Sequence, residues 1–90
     1  MVKVQFTTIL KNRVGLHARP AALFVRTSKK YNAEITVEKE GNKADGKKIL
    51  GVLGLGAEKG DSVTVYLDGA DAKEAKDILL AMIENKFGEE

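Results

Sequence analysis

The stretch Gly15-Leu16-His17-Ala18-Arg19-Pro20-Ala21-Ala22-Leu23-Phe24-Val25 anchors the reading of the whole chain. From Ala18 to about Lys30 the spacing predicts a helix. Ala21, Ala22, Phe24, Val25 and Ser28 place small and apolar residues on one face, while Arg26, Lys29 and Lys30 fall elsewhere. Pro20 then has to lie in the first turn, where its missing N–H has no intrahelical partner to lose. That requirement sets the helix start near His17 or Ala18.

Working outward, Val2, Val4, Phe6 and Leu10 alternate with Lys3, Gln5, Thr7 and Lys11, which predicts a half-buried strand interrupted at Thr8 and Ile9. Lys11–Gly15 is a polar connection into the helix. On the other side, Ile35 and Val37 alternate with Glu34, Thr36 and Glu38. Glu40-Gly41-Asn42 turns the chain, and Lys43–Asp45 forms a short returning strand. Ile49, Leu50, Val52 and Leu53 have the spacing of a short amphipathic helix, weakened by Gly46, Gly51, Gly54 and Gly56 in and around it. Gly60-Asp61 leads into a strand in which Val63, Val65 and Leu67 alternate with polar residues. Asp71 is placed to cap a last helix with Glu74 three residues on, and Ala75, Ile78, Leu79, Met82, Ile83 and Phe87 form its apolar stripe up to Gly88. The order βαββαβα predicts an α+β fold, with helices packed on one face of a mostly antiparallel sheet. Residues 1–90 read as a single domain without linker or repeat. Strand order does not follow from the pattern.

Composition narrows the chemistry. The chain has 90 residues, no cysteine, one histidine and one proline. Disulfides, thiolate nucleophiles and cysteine-ligated metals are therefore excluded, and a multi-histidine metal site within one chain with them. No metal and no cofactor is expected. The net charge of +2 conceals an asymmetry: residues 1–30 carry seven basic side chains and no acidic one, leaving a net −5 on the rest. A basic first third suits a phosphate-bearing or acidic partner, although it also suits an ordinary solvated helix face. No apolar run approaches the roughly 20 residues of a membrane span, and Met1–Lys11 lacks a signal-peptide core. A cytoplasmic protein without membrane insertion is expected.

Two motifs are weak. Gly41 to Lys48 matches GxxxxGK, but Lys48 stands where a phosphate-binding loop needs the magnesium-binding Ser or Thr. Gly51-Val52-Leu53-Gly54 spells the GxxG of a nucleic-acid clamp, yet its apolar centre suits a packed helix better.

The segment around His17 differs in kind. A helix N-terminus leaves amide N–H groups unpaired and carries partial positive charge, so it binds phosphate. His17 stands at that end, and Arg19 brings a guanidinium suited to phosphate oxygens. Ala18 and Arg19 offer free amides, and the positive end favours the neutral, nucleophilic ring. These parts describe a histidine that takes a phosphoryl group reversibly. They equally describe a capping or merely exposed histidine.

GLHARPAALFV, the later KKILGVLGLGAEKG, the βαββαβα order and the length together resemble the HPr family of histidine-containing phosphocarriers of the bacterial sugar phosphotransferase system. The resemblance spans essentially the whole chain. It implies an open-faced sandwich of a four-stranded antiparallel sheet with three helices on one face. It implies that His17 takes a phosphoryl group on Nδ1 from phosphorylated Enzyme I, charged by phosphoenolpyruvate, and passes it to a histidine of an enzyme IIA domain. Arg19 would be the phosphate-stabilising side chain, with the Ala18 and Arg19 amides facing the phosphate. Leu16, Ala22, Arg26, Lys29, Lys48, Ile49, Leu50 and Leu53 would form the partner surface of a monomeric carrier.

One position departs from many relatives. Where Gram-positive members carry a serine phosphorylated by HPr kinase, this chain has Lys48, so serine-based regulation is expected to be absent. Ser28 and Ser62 lie outside the motif. Alternatives are a regulatory or nitrogen-branch carrier that still uses His17, and a small nucleic-acid-binding α+β domain. The latter lacks an aromatic stacking platform, since Phe6 and Phe24 read as buried and Tyr31 stands alone.

Overall fold

A computed structural model describes residues 2–89. Segments with alternating polarity pair into one sheet: β1 (Lys3–Ile9), β2 (Glu34–Lys39), β3 (Asn42–Asp45) and β4 (Ser62–Asp68). Their order is β1-β4-β2-β3, and every pairing is antiparallel. Side chains two apart share a face, so the register decides what meets in the core. One inward row runs Phe6, Val65, Val37, Ala44 across all four strands, and the next runs Val4, Leu67, Ile35.

Thr8 does not interrupt β1. It pairs with buried Val63 on the inward face, while Ile9 turns outward at 52% exposure. The alternation thus continues with a threonine in an apolar row. The β2–β3 turn is a two-residue loop in which Glu40 and Gly41 both have positive φ, at 52° and 85°. That is the type I′ geometry whose twist matches the strands it joins.

The outer face of the sheet is polar. The Thr7 and Thr64 hydroxyls bond at 2.8 Å, and the Tyr66 hydroxyl donates to the Glu38 carboxylate. The Lys43 ammonium lies 5.3 Å above the Tyr66 ring centre. Bonding to Glu38 raises the Tyr66 pKa, because the carboxylate holds the phenol proton.

The helices are α1 (Ala18–Ser28), α2 (Ile49–Gly54) and α3 (Ala72–Glu84). The inward face of α1 buries Pro20, Ala21, Phe24, Val25 and Ser28, and α2 buries Val52. Phe24, at 1% exposure, is the largest fully buried side chain. Truncating it removes both transfer energy and packing contacts. Phe24→Ala is expected to lower the unfolding free energy by about 3–5 kcal/mol, read from a urea transition.

Three details differ from the sequence reading. Asp71 occupies the N-cap position of α3 but makes no side-chain cap bond. Its carboxylate instead accepts the backbone N–H groups of Asn32 (2.8 Å) and Ala33 (2.9 Å), tying the start of α3 to the entry of β2. Those amides, Asn32 first, hold the Asp71 carboxyl below its ordinary range. A carboxyl depressed by folding stabilises the fold above its unfolded pKa of about 3.9 and loses that contribution as pH falls. Relative to Asp71→Asn, the wild type is therefore expected to lose more stability as pH drops through and below about 4. Parallel pH-dependent melting curves for the two proteins would contradict this.

The apolar stripe of the last helix is narrower than its spacing suggested: Ala72, Ala75, Leu79 and Ile83 are buried, but Ile78 is 46% exposed. Phe87 reaches the core from outside the helix. The chain leaves α3 at Asn85, and Lys86 and Phe87 take left-handed φ values of 57° and 55° in a single 3-10 turn, Lys86–Gly88. Burying Phe87 at 6% exposure is what this reversal achieves, and it carries the following Glu89 toward the start of α1.

Candidate functional site

His17 is the N-cap residue of α1, with extended backbone (φ −81°, ψ −169°) and an exposed side chain. Its carbonyl accepts the Ala21 N–H at 2.8 Å, but its ring makes no cap bond. The capping role is thus absent, and the ring is free for chemistry. Pro20 has no N–H and the Ala21 N–H is used, so the Ala18 and Arg19 amides remain as the unpaired donors of the first turn. That turn holds no acidic residue to compete for an anion.

A rigid platform holds this end of the helix. The Leu16 N–H donates to the Ala57 carbonyl at 2.9 Å, and Gly60 N–H to the Leu10 carbonyl at 2.8 Å. The platform turn is itself braced. The Asp61 carboxylate accepts the Glu58 N–H at 2.8 Å and pairs with the Lys39 ammonium at 3.2 Å. The Glu58 amide, more than Lys39, depresses the Asp61 pKa. Gly15 packs so closely that a Cβ there would stand 2.5 Å from the Ala57 carbonyl oxygen.

Two shallow depressions meet at Arg13 and Val14. His17, Glu58 and Lys59 line one of about 230 Å³, and Arg19, Gly88 and Glu89 line the other, of about 350 Å³. His17 and Arg19 line different depressions. The Arg19 guanidinium lies 3.8 Å from the Glu89 carboxylate, with 79% of the side chain exposed. Glu89 also accepts from the Asn12 side-chain amide at 3.4 Å. Sequence reasoning missed both Asn12 and Glu89. Asn12 stood in a stretch read only as a polar connection, and no local pattern links Glu89 to a residue seventy positions earlier.

The expected partner surface is partly assembled. Lys29, the C-cap of α1, joins Lys48, Ile49 and Leu50 around a depression of about 440 Å³ where α1 and α2 pack together. Leu50 is 81% exposed. Arg26 is exposed, and Ala22 and Leu53 are half-buried, outside that depression. Leu16 is a correction: at 3% exposure it belongs to the core and offers no docking surface. It precedes the N-cap, the position whose apolar side chain packs toward the fourth helical residue, here buried Ala21. Lys3, counted among the basic residues of the first third, lines a depression on the polar sheet face with Glu34, Tyr66 and Asp68.

Neither weak motif survives. Gly41 to Lys48 forms a hairpin turn and strand β3, not a strand-to-helix phosphate loop, and Gly51–Gly54 lies within α2.

The chain matches the family described as "PTS HPr component, phosphorylation site" over residues 4–85. It belongs to the HPr family. Among relatives, it is 40% identical over 86 residues to the phosphocarrier protein HPr of Cupriavidus necator, covering 96% of this chain and 97% of that one. It is also 40% identical over 77 residues to the HPr-like protein Crh of Halalkalibacterium halodurans, covering 86% and 92%. The crystal structure of HPr from Thermoanaerobacter tengcongensis superimposes with a TM-score of 0.94 at 46% identity, covering 97% of this chain and 98% of that one. The open four-stranded antiparallel sheet with three helices is the HPr fold. Among the described residues, no helix is long and apolar enough to cross a membrane.

Proposed function

We propose that this chain is a phosphocarrier that takes a phosphoryl group on His17 from phosphorylated Enzyme I and hands it to enzyme IIA domains for sugar uptake. The observation that carries the reading is the uncapped, exposed His17 ring beside the two unpaired amides of Ala18 and Arg19. In the first transfer, Nδ1 of the neutral imidazole attacks phosphorus. As the new P–N bond forms, the donor's P–N bond breaks and its electron pair returns to the donor. The transferring group carries its charge on three equatorial oxygens, so the protein mainly supplies position and positive potential. The helix N-terminus and the Arg19 guanidinium supply the potential, and the 57–61 platform supplies the position.

The half-apolar, half-basic rim at Lys29, Lys48, Ile49 and Leu50 fits brief encounters with acidic partners. In this reading the carrier works as a cytoplasmic monomer and holds no cofactor. Lys48 gives an HPr kinase no hydroxyl, so no serine-type phosphate forms there.

Onward transfer tests the reading. Label from phosphoenolpyruvate is expected on this chain first, and then on an added enzyme IIA domain as the chain's own label falls. An IIA domain that stays unlabelled beside a labelled chain would reject the carrier role. The 40% identity to Crh favours a second reading, a regulatory HPr-like protein. That reading keeps the fold and predicts partner binding with no transfer to IIA domains.

A further inference from the structure

We propose that Asn12 is a positioning residue for phosphoryl transfer at His17, holding both the turn that presents the ring and the carboxylate against which Arg19 rests. The inference rests on the phosphocarrier reading above. Asn12 is fully buried, and among the described residues Ser28 is the other fully buried polar residue. Its Nδ2 donates to the Gly15 carbonyl at 2.8 Å, while the Gly15 N–H donates to the Asn12 carbonyl at 3.3 Å. These two bonds close the Asn12–Gly15 turn from both sides. Gly15 has φ +63° and lies against the backbone of Ala57 and Glu58, and Leu16 then bonds to Ala57. His17 follows at once. Any shift of the Gly15 carbonyl therefore reaches the ring through a two-residue lever.

The same amide nitrogen reaches Glu89 Oε1 at 3.4 Å, and Glu89 Oε2 lies 3.8 Å from Arg19 Nη1. One side chain thus couples the loop bearing His17 to the surroundings of Arg19. Asn12 Oδ1 has no partner, which is an unfavourable state for a buried acceptor. The donors, not the acceptor, are what the site uses. Aspartate has the same shape and lacks those donors. It also sets a charge against the Gly15 carbonyl and the Glu89 carboxylate, so it removes the function while nearly keeping the volume.

The test compares wild type with Asn12→Asp and Asn12→Ala as substrates of Enzyme I and phosphoenolpyruvate. A misplaced ring lowers kcat at unchanged KM, whereas a partly unfolded carrier raises the apparent KM at unchanged kcat. A displacement of about 1 Å costs on the order of 100-fold. A fall in kcat of roughly 10- to 100-fold with KM within about twofold is expected. An unchanged kcat in either folded variant would overturn the inference. A second measurement needs no variant: the Asn12 side-chain amide NMR signals of the wild type are expected to shift when His17 is phosphorylated, as Arg19 turns from Glu89 to the phosphate. Unmoved signals would also overturn it. A wild type that takes no phosphate contradicts the carrier reading itself, and so is distinguishable from either of these failures.

Discussion

Replacing Gly15 with alanine is expected to destabilise the protein by about 2–5 kcal/mol, the sum of two independent penalties. The first is conformational. Gly15 has φ +63°, a region that costs an L-residue with a Cβ roughly 1–2 kcal/mol. The second is steric. The added carbon would stand 2.5 Å from both the Ala57 carbonyl oxygen and the Glu58 Cα, and both are backbone atoms in a turn braced by Asp61 and Lys39. Backbone cannot swing aside as the tip of a side chain can, so relief must come from moving the 12–17 loop. Overpacking of this kind costs about 1–3 kcal/mol. The same movement would displace His17, so the folded fraction of the variant should also transfer phosphate more slowly. A glycine in open space is the control. Gly54 has nothing within 4 Å of its added Cβ and no positive φ, so Gly54→Ala should leave stability unchanged or raise it. Equal urea midpoints for Gly15→Ala and wild type would show that the platform does not constrain the loop.

The second large effect is expected at Arg19, and it falls on rate instead of stability. The side chain is 79% exposed and its pairing with Glu89, at 3.8 Å, is long, so Arg19→Ala should unfold with nearly the wild-type midpoint. In the transfer step, however, the guanidinium belongs to the first turn of α1, two residues from His17. Removing one hydrogen-bond donor from a developing anion costs on the order of 100- to 1,000-fold. Arg19→Ala is expected to slow transfer from Enzyme I by about that factor. Lysine restores the charge without the planar fork, so Arg19→Lys should recover only part of the rate. A transfer rate within twofold of wild type for Arg19→Ala would remove Arg19 from the site.

Much of this was legible before any coordinates. Pro20 placed the helix start, and strict alternation in Ile35–Glu38 and Val63–Leu67 placed two strands, because local sterics and one-sided burial dictate both. The start of α1 at Ala18, with His17 as its N-cap, followed because a helix end is a local feature. What stayed hidden depends on distant pairings. The order β1-β4-β2-β3 is set by which inward rows meet, not by any one segment. Asp71 has the look of a cap, but two backbone amides at Asn32 and Ala33, thirty-nine and thirty-eight residues earlier, take both of its oxygens. The family resemblance puts Leu16 on the partner surface, yet the Ala57 contact draws it into the core. Glu89 meets Asn12 and Arg19 only through the left-handed reversal at Lys86 and Phe87.

The central claim is that the His17 ring carries the phosphoryl group. Intact mass measurement after incubation with Enzyme I and phosphoenolpyruvate reads it directly. The account predicts one added phosphoryl group on the wild type, lost on acid treatment, and none on His17→Ala, whose exposed position leaves the fold intact. A wild type of unchanged mass, or a folded His17→Ala protein that still gains the phosphate, would contradict it.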